Sequence, residues 1–243
     1  MSSPILLDIT DGIARITLNR PERGNALDQP MADALLDAAV RCANDPDIRC
    51  IVLTGSGKMF CVGGDIGAFS ANSDGIAPFL SRLAGTLHQA MSLFATMQKP
   101  MITLVNGTAA GAGLSIAISG DIVLADPSAL FTTAYLGIGL TPDGGMTWLL
   151  PRLVGMRVAQ EMILTNRRVD ANEAAAIGLI TRVTEPGALS DEGAALATQL
   201  SSGAVTAMGQ ARRLLHESFA SGFASQMDRE LTSITAAGDG FEG

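Results

Sequence analysis

Two segments built around small residues constrain this chain most: Phe60-Cys61-Val62-Gly63-Gly64-Asp65, with its glycine pair, and the glycine- and alanine-rich Asn106-Gly107-Thr108-Ala109-Ala110-Gly111-Ala112-Gly113-Leu114-Ser115. Each follows a buried-looking strand candidate, Cys50-Ile51-Val52-Leu53-Thr54 and Met101-Ile102-Thr103-Leu104-Val105. Without a Cβ, backbone can approach a neighbour or a ligand closely. Read singly, Gly63, Gly64, Gly111 and Gly113 permit tight turns or close helix packing. Read as a pair, the segments point to two bare N–H groups, backed by a following helix, that hold negative charge as it develops on a carbonyl oxygen.

The rest of the chain fits an α/β core around these segments. Ile5-Leu6-Leu7-Asp8-Ile9 and Ile13-Ala14-Arg15-Ile16-Thr17-Leu18 flank Asp11-Gly12 and predict a hairpin. Asp28 ahead of Pro30, with Met31, Ala34, Leu35, Ala38 and Cys42 at helical spacing, predicts a helix ending before Asn44-Asp45-Pro46. A helix is expected over 77–97, in which Met91 to Met101 reads as core packing. The polar, glycine-containing stretch 70–75 before it reads as a loop over a pocket. A further helix is expected over 113–119 and a strand at Asp121-Ile122-Val123-Leu124-Ala125. Asp170-Ala171-Asn172-Glu173 has the form of a capping box ahead of a short helix that stops at Gly178. The pattern turns wholly helical beyond Glu185-Pro186-Gly187, which divides a core, 1–187, from a C-terminal helical region, 188–243.

Composition removes several function classes. A formal net charge of −8 repels a polyanion, so nucleic acid is not an expected partner. No apolar run reaches the length of a membrane span, and Met1-Ser2-Ser3-Pro4 lacks the basic flank of a signal peptide, so the expected setting is cytoplasmic, away from the membrane. Cys42, Cys50 and Cys61 form neither a CxxC pair nor a cluster with histidine, so neither a disulfide framework nor a metal site is expected.

Four segments in order strongly resemble the crotonase (enoyl-CoA hydratase/isomerase) superfamily: Asn19-Arg20-Pro21-Glu22-Arg23-Gly24-Asn25-Ala26-Leu27, then Phe60 to Ile66, then Asn106 to Asp121, then Gly139-Leu140-Thr141-Pro142-Asp143-Gly144-Gly145. The likeness continues through Leu153-Val154-Gly155 and Leu164-Thr165 to Ala176-Ile177-Gly178-Leu179-Ile180. The resemblance implies a spiral of ββα units with two sheets wrapped by helices, and a C-terminal helical region that builds homotrimers, often paired as hexamers. It implies an acyl thioester of coenzyme A as substrate, with no cofactor beyond that coenzyme A moiety. By the same resemblance the donors are the N–H groups of Gly64 and Ala112. Asn25, Ala26, Leu27, Val62, Asp65, Ile66, Gly67, Gly111, Ser115 and Tyr135 would then bind substrate.

Hydratases of the family use two glutamates, at the places where this chain has Ser115 and Tyr135. Neither residue serves as a carboxylate base near neutral pH. Asp143 stands where the resemblance places the base of some enoyl-CoA isomerases and of the phenylacetate-pathway isomerase that acts on a ring epoxide. Alone, Pro142-Asp143-Gly144-Gly145 is a turn or helix-cap sequence; with the resemblance it becomes the expected acid/base of an isomerase. The alternatives are a hydratase with an atypical site and a non-catalytic acyl-CoA-binding protein.

Several residues keep blander readings. Asp65 reads as an N-cap with a positioning role. Ser115 reads as a small packed helix residue, Tyr135 as either an apolar filler or a hydroxyl aimed into the pocket, and Trp148 as pocket wall or core. His88 and His216, on helices, read as surface or packing residues. Gly238 to Gly243 resembles the start of the family's last helix without its basic continuation, so a shortened C-terminal region is expected.

Overall fold

Asp11 and Gly12 both take left-handed backbone angles, φ 52° and 74°, the two-residue turn whose twist matches that of paired strands. They join β1 (Ile5–Thr10) to β2 (Ile13–Leu18), antiparallel with Ile5 opposite Leu18. The computed structural model describes residues 3–238. Asp28 caps α1 (Gln29–Asn44), its carboxylate accepting from the Met31 N–H at 3.0 Å. That helix buries Met31, Ala32, Leu35, Ala38, Ala39 and Cys42 and returns the chain to β3 (Cys50–Gly55), parallel to β2.

The chain then forms α2 (Ile66–Ala71) and α3 (Ile76–Thr96), and re-enters the sheet as β4 (Met101–Val105). After β5 (Ala109–Ala110) and α4 (Ala112–Ala117) come β6 (Ile122–Ala125), β7 (Leu130–Thr132), α5 (Met146–Thr165), β8 (Val169–Asp170), α6 (Ala171–Ala176) and β9 (Arg182–Val183). One sheet has the order β1-β2-β3-β4-β6-β9, parallel beyond the hairpin; a smaller one has the order β5-β7-β8. The fold is the mixed α/β arrangement expected. Three helices follow, α7 (Leu189–Ser202), α8 (Val205–Ser218) and α9 (Phe223–Gly238). Of the stretch Gly238 to Gly243 read as the start of a final helix, Gly238 ends α9 and residues 239–243 lie outside the described residues. No described helix is long and apolar enough to cross a membrane.

The central strands of the large sheet are buried on both faces, as an apolar run such as Cys50-Ile51-Val52-Leu53 requires. Ile51 and Leu53 join the main core, which includes α1 and α3 side chains, while Cys50, Val52, Ile102, Leu104 and Leu124 pack against Leu189 and Ala197 of α7. Arg212 of α8 fastens the helical region to the core. Its guanidinium bonds the Phe94 and Met97 carbonyls at the end of α3 and pairs with Asp121 at 2.6 Å; Asp121 in turn accepts from the Met101 N–H at 2.7 Å. Nearby, Trp148 of α5 stacks on His216 with centroids 5.7 Å apart, meets Phe219 edge-on, and carries the Arg152 guanidinium over its ring.

Two local expectations change. The stretch 70–75 is not an open loop: its first residues finish α2 and the last form a 3-10 turn, Ser73–Gly75. Asp170 does cap α6 through the Glu173 N–H at 2.8 Å, but the Glu173 carboxylate pairs with Arg167 at 2.7 Å. A cation within reach competes for the carboxylate that would complete a capping box.

Candidate active site

The two small-residue segments lie against each other. Cys61 bridges Ala109, and the Ala110 N–H donates to the Cys61 carbonyl at 2.9 Å. The approach depends on Gly113, where an added Cβ would stand 2.1 Å from the Cys61 carbonyl oxygen. The first segment is also tied to the amino-terminal turn: Leu27 donates to the Gly63 carbonyl and accepts from the Asp65 N–H, both at 2.8 Å. In such a bridge the residue between, Gly64, directs its own N–H to the opposite side. Ala112 is the first residue of α4, so its N–H has no acceptor within the helix. Gly64 and Ala112 line one cavity of about 280 Å³.

The remaining wall is mostly apolar, with Phe69 from α2, Leu80, Leu83, Ala84 and Leu87 from α3, and Ile138 and Leu140 beyond β7. Phe69 covers Gly64 so closely that a Cβ there would meet its ring at 2.3 Å. Of the substrate residues expected from sequence, Leu27, Val62, Ile66, Gly111 and Tyr135 also line this cavity. Asn25, Ala26, Asp65, Gly67 and Ser115 do not. Asn25 is fully buried, its amide N–H groups donating to the Ser56, Met59 and Phe60 carbonyls. The Ala26 carbonyl accepts from Arg20 at 2.6 Å. Asp65 accepts from the Gly67 and Ala68 N–H groups and pairs with Arg20 at 3.1 Å, the capping and positioning work expected of it.

Burial raises the Asp65 pKa, but the Ala68 N–H and Arg20 outweigh burial, so the carboxylate sits below its ordinary 3.8. A depressed folded value stabilises the fold above the unfolded carboxylate range, and that stabilisation disappears as pH falls through the folded value. Asp65→Ala is therefore expected to cost about 0.5–2 kcal/mol of stability at neutral pH. In urea titrations the gap between variant and parent closes at acid pH; a gap that persists unchanged overturns this account.

Asp143 is the carboxylate on the cavity wall, and it reaches there through Gly144 and Gly145, both with positive φ, ahead of α5. The Tyr135 hydroxyl donates to Asp143 Oδ1 at 2.7 Å. Ser115, fully buried, donates to the Asp143 backbone carbonyl at 2.9 Å, and its hydroxyl lies 3.3 Å from that of Tyr135. The two positions that hold hydratase glutamates in the resemblance thus form a hydroxyl pair holding one aspartate. Burial, and then the Asp143 carboxylate, push the Tyr135 hydroxyl far above the ordinary tyrosine value, so it remains a donor. Ala134 beside it takes a left-handed backbone, φ 57°, strained for a residue with a Cβ.

His88 is exposed, as its surface reading expects, and it also reaches the site: its Nε2 accepts from the Gly144 N–H at 3.1 Å and lies 3.5 Å from Asp143 Oδ2. Trp148 lines a second cavity behind this turn, together with His88 and His216. No thiol serves the site, since Cys61 under the first segment is fully buried and burial pushes it up to about 12. Among the described residues, no group of three or more His, Cys, Asp or Glu side chains gathers as a metal site.

A family model described as enoyl-CoA hydratase/isomerase matches residues 8–239. The chain is 35% identical over 235 residues to 1,2-epoxyphenylacetyl-CoA isomerase of Escherichia coli, covering 96% of this chain and 90% of that protein. It is 39% identical over 183 residues to a Mycobacterium tuberculosis protein named as a probable enoyl-CoA hydratase, covering 75% and 70% of the two. Among solved structures, an enoyl-CoA hydratase/isomerase of Cupriavidus metallidurans superposes with a TM-score of 0.89 at 33% identity, covering 96% of this chain and 88% of that one.

Proposed function

We propose that this chain, which belongs to the enoyl-CoA hydratase/isomerase family, is an acyl-CoA isomerase that shifts a double bond or rearranges a ring through a thioester enolate. The observation that carries the reading is Asp143: among the described residues it is the one carboxylate lining the cavity that Gly64 and Ala112 also line. Asp143 takes a proton from C2 of the acyl group as the electron pair moves toward the thioester oxygen. The Gly64 and Ala112 N–H groups hold that oxygen, each such donor worth about 10²–10³ in rate. The protonated carboxyl then returns the proton at C4, completing a double-bond shift with no water consumed. These steps need no metal and no cofactor beyond the coenzyme A of the substrate.

The isomerase name of the Escherichia coli relative supports this choice, and the hydratase name of the Mycobacterium tuberculosis relative makes hydration the competing outcome. Separate incubation with 2-enoyl, 3-enoyl and aromatic-ring thioesters decides between them. Interconversion of 2- and 3-enoyl isomers, or ring rearrangement, supports isomerisation. A 3-hydroxyacyl product rejects it in favour of hydration, and binding without conversion favours a non-catalytic role.

For assembly, the reading is a homotrimer or a dimer of trimers. Phe223, Met227, Leu231 and Ile234 on α9 recur at helical spacing and stand exposed in the single chain. A monomeric mass by light scattering would reject that assembly. Three free, buried thiols suit a reducing compartment, and the cytoplasm is the setting this reading carries.

A further inference from the structure

The turn that presents Asp143 is a partition. Asp143 lines the substrate cavity, while Gly144 and Gly145 line the second cavity, of about 380 Å³, with His88 beside them. Gly144 has φ +62°, and a Cβ on it would stand 3.0 Å from the Ser115 Cβ. The turn is therefore pressed against α4 on one side and needs a fixed partner for its N–H on the other. His88 is that partner, placed by α3: Leu80, Ala84 and His88 follow one another at four-residue steps, and the first two are cavity wall.

The two contacts of His88 fix its tautomer. An Nε2 that accepts from the Gly144 N–H carries no proton, so the ring proton sits on Nδ1. That Nε2 cannot also donate to Asp143 Oδ2, 3.5 Å away. The two carboxylate oxygens therefore differ. Oδ1 is occupied by the Tyr135 hydroxyl, and among the described residues Oδ2 has no donor within bonding distance.

We propose that His88 is a positioning residue: by accepting the Gly144 N–H it holds the Asp143 turn so that Oδ1 faces Tyr135 and Oδ2 alone meets the substrate proton. This inference rests on Asp143 being the acid/base of the proposed isomerase. It assigns the proton transfer to one oxygen and makes an imidazole that gives the carboxylate no hydrogen bond, and acts through the Gly144 N–H, control the aim of the base.

The test compares His88→Leu, which has no acceptor, with His88→Gln, whose side-chain carbonyl can reach the Gly144 N–H. The readouts are kcat, KM and the exchange of the C2 proton of an acyl-CoA into deuterated water, with Asp143→Asn measured alongside. A misaimed base costs up to about 100-fold. The expected result is a fall in kcat and in exchange of about 10- to 100-fold for His88→Leu with KM unchanged, and recovery of most of that loss by His88→Gln. Parental exchange in His88→Leu, or no recovery in His88→Gln, overturns the inference. If Asp143→Asn abolishes exchange while His88→Leu leaves it intact, the positioning role fails and the isomerase reading stands; parental exchange in Asp143→Asn sinks both.

Discussion

Asp143→Asn is expected to lower kcat by about 10²–10⁴ while the affinity for the thioester stays close to that of the parent. The substitution keeps the size of the side chain and leaves a carbonyl oxygen for the Tyr135 hydroxyl, so the Gly144 turn and the contact at 2.7 Å can persist. What it removes is the charge and the basic oxygen. The Gly64 and Ala112 N–H groups are untouched, and so is the apolar wall from Phe69 to Leu140 that would bind the acyl group. A fall in kcat with a constant KM marks an interaction made in the transition state. Turnover at the parental rate would mean that Asp143 is only the turn residue its Pro-Asp-Gly-Gly setting suggests.

The second large effect concerns stability. Arg212→Leu is expected to cost about 2–5 kcal/mol, because it leaves the two buried carbonyls of Phe94 and Met97 without their donor and takes the partner from Asp121, which is itself partly exposed. The Arg212 side chain is 8% exposed, and besides Asp121 it serves the Phe94 and Met97 carbonyls. At roughly 2–4 °C per kcal/mol for a chain of this size, melting falls by about 4–20 °C. The control is Arg229→Ala, which breaks a pair with Glu217 at a similar distance, 3.0 Å, but with side chains 48% and 39% exposed. Solvent screening leaves such a pair worth about 0–1 kcal/mol. Equal losses for the two variants, read by calorimetry, would show that burial is not what gives the Arg212 clamp its strength.

Much of this was legible in the residues because the signals were local. Asp11-Gly12 names its turn, Asp28 its cap, and apolar runs such as Met101 to Val105 their two-sided burial. The paired small-residue segments announced their contact, since only glycine at 113 lets the Cys61 carbonyl come so near. The hidden parts depended on partners far away in sequence. Tyr135 was open between filler and donor until its partner, Asp143, was fixed in space. His88 is the surface residue its sequence suggests, but its acceptor role is hidden there because it needs an N–H from a turn 56 residues on. Its step of four from Ala84, a cavity residue, was the available signal. The helix over 146–165 carries Pro151 and a non-helical Gly155, which break the periodicity that would have revealed it. Substrate contact for Asn25, Ser115 and Gly67 is what the family resemblance implies. In the structure the Asn25 amide, the Ser115 hydroxyl and the Gly67 N–H each bond within the turns that carry the site.

Trp148 is the only tryptophan of the chain, and its indole is packed between α5 and α8 against His216, Phe219 and Arg152. Its fluorescence therefore originates at that junction alone. Undocking of α8 with the sheets intact would change the emission, so the protein carries its own optical gauge for whether that helix is seated.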